Sequence, residues 1–358
     1  MLSIIIPTFN ERDNLPVLFK RLTTLLSDIP FEILVVDDHS PDGTADFVRK
    51  CGRENLRIRV LERRGRRGLA SACVEGALAS CGEVIAVMDA DLQHDESLLI
   101  PMWKLIISRE WDGVVGSRFI GESVHSLSPL REKISRNGIK IANYFLPSPL
   151  TDPMSGFFMV RREIFTAALP RMSPMGFKIL FDLLASYPHQ GVRIQELSFH
   201  FRPRFHGESK LDSLVIWEFA MYLAERLTRG KFSAHFISFA LIGSLGVLFH
   251  LSIIKLLLLL GMVFIHAHIV ATSVTIILNF ILNNFLTYRH KRLAGIFEFL
   301  KGLLSFYGVC AVGFVGNVGV AHFMVKSVNS PWAFSAVMGI VVGTFWNYGI
   351  SKQVTWKN

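Results

Sequence analysis

Short apolar runs, each closing on a polar cluster, set the rhythm of the first half of the chain. Residues 2–7 (L-S-I-I-I-P), 32–36 (E-I-L-V-V), 58–62 (I-R-V-L-E) and 84–88 (V-I-A-V-M) have strand length and mostly apolar character. Between the first two, residues 15–26 repeat their apolar positions at helical spacing, and a second helix is expected after the turn residues 37–44 (D-D-H-S-P-D-G-T). Continuous apolar strands alternating with helices predict an α/β domain with a mainly parallel, Rossmann-like sheet covered on both faces. Such sheets bind ligands beyond the carboxyl ends of their strands. The polar clusters fall there: Asn10 with Glu11, Asp37 with Asp38, and Asp89 with Asp91.

The pattern changes after residue 231. Apolar runs near residues 234–260, 266–288, 303–325 and 332–350 approach the length of about 20 residues that a spanning helix needs. Buried helices of a soluble domain would keep a polar face, so an all-α domain of four transmembrane helices is expected. This half repeats itself. Asn279 to Arg289 (N-F-I-L-N-N-F-L-T-Y-R) parallels Asn347 to Lys357 (N-Y-G-I-S-K-Q-V-T-W-K), and Ser238, Phe239 and Gly246 parallel Ser305, Phe306 and Gly313. Two tandem helical hairpins of like orientation follow. Gly243, Gly246, Gly308, Gly313, Gly316 and Gly319 permit close helix approach, with Asn279, Asn347 and His322 as interhelical hydrogen-bonding candidates. Residues 211–231 place Leu214, Trp217, Phe219, Met221, Leu223 and Leu227 near one broad face, which suits an interfacial amphipathic helix or a helix packed on the α/β domain. The expected organisation is therefore residues 1–210, 211–231 and 232–358.

Charge sharpens this division. The chain of 358 residues carries a formal +9, yet residues 1–231 hold 30 basic and 28 acidic residues while residues 232–358 hold 8 and one, Glu298. A positive excess confined to the most apolar region orients membrane spans and argues against a nucleic-acid partner. Arg226, Arg229 and Lys231 precede the first run, Arg289, Lys291 and Arg292 follow the second, Lys301 precedes the third, and Lys352 and Lys357 follow the last. The positive-inside rule then puts both termini and the α/β domain in the cytoplasm. Residues 2–7 are too short and lack the basic leader of a secretory signal. Cys51, Cys73, Cys81 and Cys310 have neither metal-ligand spacing nor disulfide density, as reduced cytoplasmic thiols would.

The chemistry concentrates in residues 87–96, V-M-D-A-D-L-Q-H-D-E. At strand spacing, Asp89, Asp91 and Gln93 would point the same way, about 6–7 Å apart, and a slight turn would bring their oxygens onto one hard cation. Carboxylate, carboxamide and phosphate oxygens suit Mg²⁺ or Mn²⁺, so the expected ligand is a metal-bound diphosphate. Asp42 with Gly43, and Asp95 with Glu96, read instead as helix caps or turn formers.

I-I-I-P-T-F-N-E, V-V-D-D-H-S-P-D-G-T, D-A-D-L-Q, G-S-R at 116–118, D-P-M-S-G-F at 152–157 and R-F-H-G-E-S-K-L at 204–211 together resemble glycosyltransferase family 2. Within it they are most similar to the polyprenyl-phosphate hexosyltransferases of dolichol-phosphate mannose synthase type, and the tail resembles the GtrA-type membrane domain. The resemblance covers essentially the whole chain. It implies a GT-A fold, a nucleotide-sugar donor with GDP-mannose favoured over UDP-glucose, and a polyprenyl or dolichyl phosphate acceptor presented by membrane lipid. It assigns Pro7, Phe9, Glu11, Val36, Asp38, Asp89, Ala90, Asp91 and Lys210 to the nucleotide sugar. The motif more often has Tyr where this chain has Phe9, which keeps stacking but loses a hydroxyl. Asp89, Asp91 and Gln93 would hold the metal, and Arg118, Arg131, Ser135, Arg202 and Arg204 the lipid phosphate. Catalysis would rest on Asp89, Asp91, Arg118, Arg131, Ser135 and Arg204, through a single inverting displacement with no obligatory protein base; Asp89 or Asp91 as a base is the alternative. The cluster Arg63, Arg64, Arg66 and Arg67 has no assigned role. A lipid-sugar translocator with a binding-only N-terminal domain is the rival function.

Overall fold

The computed structural model describes residues 1–64, 68–120, 138–146, 148–172, 178–189, 191–199, 213–228 and 230–356. The chain divides into two compact units, Met1–Lys210 and Leu211–Asn358.

The first unit is built on a seven-stranded sheet in the order β3-β2-β1-β4-β6-β5-β7. Its strands are β1 (Leu2–Thr8), β2 (Phe31–Asp37), β3 (Ile58–Glu62), β4 (Val84–Val87), β5 (Gly113–Ser117), β6 (Phe158–Arg161) and β7 (Ile194–Ser198). The strands β1 to β4 are mutually parallel, β5 and β7 pair in parallel, and β6 runs antiparallel between β4 and β5. Helices α1 (Leu15–Leu25), α2 (Thr44–Glu54), α3 (Leu69–Ala79), α4 (Leu99–Ile107), α5 (Arg162–Ala168) and α6 (Ile179–Ser186) connect or flank the strands. The expected mainly parallel sheet is present. The strands β5, β6 and β7 are not among the runs read from the sequence, and β6 reverses direction within the sheet.

The two faces of the sheet explain why its central strands are apolar throughout. Leu2, Ile4 and Ile6 of β1, with Ile33 and Val35 of β2, pack against Leu15, Leu18, Leu22, Val48 and Met102. Ile5, Leu34 and Val36 point the other way, against Cys73, Ala77, Phe165, Leu180 and Leu183. Alternation by two thus serves two cores at once, and each fully buried aliphatic side chain contributes about 1.5–3 kcal/mol.

Strand order also locates the site. Chain order reverses between β1 and β4, the switch point at which open α/β sheets bind ligands. Ile5 of β1 lies level with Val87, the last residue of β4, so β1 continues past β4 by three residues. Ile5 O accepts the Met88 N–H on the β4 side while Thr8 O accepts the Asp38 N–H on the β2 side. By alternation Pro7 turns toward the β4 side, where the ladder has ended, and its missing N–H costs no strand bond.

The second unit is helical: α7 (Ser213–Leu227), α8 (Ala234–Leu259), α9 (Phe264–Leu282), α10 (Ile296–Ser327) and α11 (Trp332–Val354). A π-helical turn, Asn283–Thr287, extends α9. Among the described residues three helical segments are long and apolar enough to cross a membrane, Ala234–Leu259, Ile269–Thr287 and Ile296–Gly316. The tandem repeat is visible in the packing. Ser238 hydrogen-bonds Thr287 at 2.7 Å, and the corresponding Ser305 hydrogen-bonds Thr355 at 3.0 Å. Tyr288 stacks on its counterpart Trp356 with centroids 4.1 Å apart. A Cβ on Gly246 would meet the Asn279 amide at 2.6 Å, and one on Gly313 would strike Asn347. The two asparagines therefore lie flat on glycine backbone, and the Oδ1 of each has no hydrogen-bond partner among the described residues. Close packing on these glycines is what the structure shows at both asparagines. The side chain of His322 lies outside the described residues. Helix α7 packs on α8: Trp217 Nε1 donates to Ser238 Oγ at 3.2 Å, and Glu218 pairs with Arg289 at 3.5 Å.

Candidate active site

Three of the loops that leave adjacent strands turn through left-handed backbone. Asn10 after β1, His39 after β2 and Leu92 after β4 all have left-handed backbone, with φ of 62°, 56° and 62°. Asn and His adopt this conformation more readily than most residues, whereas Leu92 holds it only where its surroundings impose it, and such positions gather at functional sites.

At the end of β2 the two adjacent aspartates divide the work. Asp37 is fully buried and accepts from Thr8 Oγ1 at 2.9 Å and from the Ser40 hydroxyl and N–H at 2.6 and 2.9 Å, so it holds the turn. Asp38 accepts from Arg63 Nε at 2.7 Å and from Nη2, while its other oxygen takes the Gly68 N–H at 2.9 Å. Arg63 also donates to Ser71 Oγ at 2.8 Å and Gly68 O at 3.0 Å. It is buried, whereas the Arg64 side chain is 79% exposed. The basic cluster is therefore not one patch: Arg63 braces Asp38, and Arg66 and Arg67 lie outside the described residues. Pro7 and Val36 are buried side by side in register. Phe9 and Glu11 are half-buried in the loop after β1, where Glu11 accepts the Asn14 amide at 2.7 Å.

Beyond β4 the expectation of strand spacing fails. The strand stops at Val87, and Leu92, with its positive φ, folds residues 89–93 into a tight turn. Asp91 Oδ1 accepts the Gln93 N–H at 3.2 Å, an Asx-type turn that Asp favours. Ala90, Asp91 and Gln93 are buried, while the Asp89 side chain is 39% exposed. His94, buried beneath them, accepts the Asp89 N–H on Nδ1 at 3.1 Å, with Nε2 3.7 Å from Asp89 Oδ2. Burial pushes its pKa down to about 4 against the opposing pull of Asp91. The ring is neutral at pH 7, and the bond to Nδ1 assigns its proton to Nε2. Asp95 caps the following turn by accepting from Ser97, the capping role expected of it, while Glu96 pairs with Arg21 at 3.2 Å.

This donor set fits a hard divalent cation. Two carboxylates and a carboxamide sit within one turn, and Gly156 leaves open the space beside Asp89, where a Cβ would come 3.2 Å from Oδ2. Among the described residues no three His, Cys, Asp or Glu form a metal cluster. The remaining coordination positions suit phosphate oxygens and water, as for Mg²⁺.

Arg118, just after β5, forms a bidentate pair with Asp152: Nε to Oδ2 at 2.7 Å and Nη2 to Oδ1 at 2.9 Å. Asp152 is fully buried, and the carboxylate of Glu196 accepts its backbone N–H. Burial works against the guanidinium charge, but the Asp152 bonds and then the Asp89 charge outweigh it and raise the pKa. Lys178 shares this neighbourhood. Desolvation first and then Arg118 lower its pKa, opposed by Asp152 and Asp89. Arg63, His94, Asp152 and Lys178 join this candidate site although the sequence assigned them no role; for Asp152 the available sign was its place in D-P-M-S-G-F. Arg131, Ser135, Arg202, Arg204 and Lys210 lie outside the described residues.

Residues 3–168 match the family model for glycosyl transferase family 2, and residues 238–356 match that of the GtrA/DPMS transmembrane domain. A dolichol-phosphate mannosyltransferase of Pyrococcus furiosus is 32% identical over 357 residues, 99% of each chain. The chain belongs to the dolichol-phosphate mannosyltransferase family, within glycosyltransferase family 2. A second member, from Mycosarcoma maydis, is 36% identical over 250 residues, covering 67% of this chain and 83% of its own. Among solved structures, a mannosyl-3-phosphoglycerate synthase from Rubrobacter xylanophilus aligns with a TM-score of 0.49 at 19% identity, covering 65% of this chain and 76% of its own. As a member of this family the protein is a glycosyltransferase enzyme, with a GT-A-like domain followed by a helical membrane domain.

Proposed function

We propose that this protein is a membrane-bound inverting transferase that moves mannose from GDP-mannose to a dolichyl or other polyprenyl phosphate. The observation that carries the reading is the Asp89–Gln93 cradle at the sheet's switch point, within electrostatic reach of the Arg118–Asp152 pair. The full-length match to a relative named dolichol-phosphate mannosyltransferase supports mannose as the sugar.

In this reading Pro7, Phe9, Glu11, Val36, Asp38, Ala90 and Lys210 hold the nucleotide, and Asp89, Asp91 and Gln93 hold Mg²⁺ or Mn²⁺. When bound, the cation offsets the charge that develops on the departing nucleoside diphosphate. Arg118, Arg131, Ser135, Arg202 and Arg204 orient the acceptor phosphate. Guanidinium forks match phosphate oxygens bidentately, and the Asp152 clamp fixes which edge Arg118 presents. A phosphomonoester has its second pKa near 6, so at neutral pH it is mostly a dianion and attacks without a protein base. One of its oxygens bonds to the anomeric carbon, the bond from that carbon to the diphosphate breaks, and the electron pair leaves with GDP. The sugar configuration inverts. Residues 1–210 are the catalytic domain, 211–231 an interfacial helix or linker, and 232–358 the membrane domain. Helix α11, 23 residues long, supplies the fourth span, and both termini are cytoplasmic.

Nucleotide protection tests the donor. GDP with Mn²⁺ should raise the melting temperature of the full chain, since saturation at 100 times Kd contributes about 2.7 kcal/mol, and UDP should do less. Greater protection by UDP would favour the UDP-glucose alternative; protection by neither overturns the nucleotide-sugar reading.

A further inference from the structure

We infer that His94 is a positioning residue that sets the metal cradle in register with the loop carrying Asp152. The inference rests on the reading of Asp89, Asp91 and Gln93 as metal donors.

The ring ties both ends of the turn. Through Nδ1 it accepts the backbone N–H of Asp89 at 3.1 Å, and its own backbone follows Gln93 directly. The first and last donors are thus closed into a loop across the strained Leu92, whose φ is 62°. The ring is itself seated from two directions. It stacks on Phe157, with centroids 5.0 Å apart and planes 11° from parallel, and it meets Phe199 edge-on at 5.8 Å. Phe157 and Phe199 also meet edge-on at 5.8 Å. Both phenylalanines are buried, and a Cβ on Gly116 would come 2.9 Å from Phe157 and 3.3 Å from Phe199.

Phe157 belongs to the same D-P-M-S-G-F segment as Asp152, which holds Arg118. Ser155 Oγ anchors that segment to Gly116 O at 2.7 Å. One aromatic cluster therefore joins the turn that offers metal donors to the loop that orients a phosphate-binding arginine. A phenylalanine at position 94 would fill the same seat and keep the stacking. It would leave the Asp89 N–H without its acceptor and let the turn relax. Residues that orient metal ligands from behind typically change metal affinity by about 10- to 100-fold when lost.

The test is Mn²⁺ binding to the full chain in detergent, read from the free Mn²⁺ EPR signal with GDP and, in parallel, UDP present. His94→Phe should weaken Mn²⁺ by about 10-fold or more, while nucleotide affinity without metal and the unfolding temperature stay near those of the parent protein. His94→Asn returns an acceptor oxygen where Nδ1 stood but not the stacked ring, and should recover part of the lost affinity. If His94→Phe does not fold, Phe157→Leu carries the test, with a several-fold loss expected. Parental Mn²⁺ affinity in the variant that carries the test, or equal loss in the Phe and Asn variants together with loss of metal-free nucleotide binding, overturns the inference. A parent protein that binds no Mn²⁺ with either nucleotide overturns the metal reading itself.

Discussion

Arg118 and Asp152 face each other through two parallel hydrogen bonds, and they respond differently to substitution because only one of them is sealed from water. The Asp152 side chain is fully buried while that of Arg118 is 35% exposed. A sealed ion pair that loses one partner costs about 3–5 kcal/mol, and solvent access to Arg118 reduces this to roughly 1–3 kcal/mol. Asp152→Asn should therefore lower the melting temperature and raise KM for the lipid phosphate more than KM for the donor, which thermal unfolding and steady-state kinetics will read together. At the cradle, Asp91→Asn should lower kcat by about 100- to 1000-fold, the size of losing one strong electrostatic contribution to the transition state, and abolish the Mn²⁺-dependent part of nucleotide protection. The D-A-D-L-Q triplet was legible because acids at the end of an apolar strand stand out against their surroundings. His94, Arg63 and Asp152 were not. Arg63 and Asp152 act on partners 25 and 34 residues away, and the bond from His94 to Asp89 spans a turn that only the positive φ at Leu92 creates.

At the level of elements, the repeated helical hairpins make a quantitative claim. Gly246 and Gly313 occupy equivalent places, and each has an asparagine from the following helix lying on its backbone. Gly246→Ala or Gly313→Ala should each destabilise the membrane domain by about 1–3 kcal/mol, the usual cost of overpacking. Pairing Gly246→Ala with Asn279→Ala should recover part of that loss, and a double-mutant cycle of thermal or denaturant unfolding in detergent measures the coupling. The apolar runs and the repeat located the helices and the four parallel strands β1 to β4, since periodicity reports which faces are buried. Strands β5, β6 and β7 escaped, because runs of only four or five residues are too short for periodicity alone to separate strand from loop or helix. The packing of α7 on α8 escaped too, because an amphipathic stripe reports an apolar neighbour without identifying it.

At the scale of the whole molecule, the chain joins a GT-A-like domain to a membrane domain of the GtrA/DPMS kind, and composition alone had already divided it. The proposed orientation requires cysteines introduced singly into the loop at residues 289–295 to react with a membrane-impermeant thiol reagent from the cytoplasmic side, and those at 328–331 from the opposite side. The reverse pattern would invert the topology and remove the catalytic domain from its nucleotide-sugar supply. The central claim is transfer itself. Purified full-length protein in vesicles containing dolichyl phosphate should convert labelled GDP-mannose, with Mn²⁺ or Mg²⁺, into an organic-extractable mannosyl phospholipid of β configuration, and the product should vanish with chelator or with Asp91→Asn. Absence of any lipid-linked mannose under these conditions, or equal product from the Asp91→Asn protein, would contradict the account.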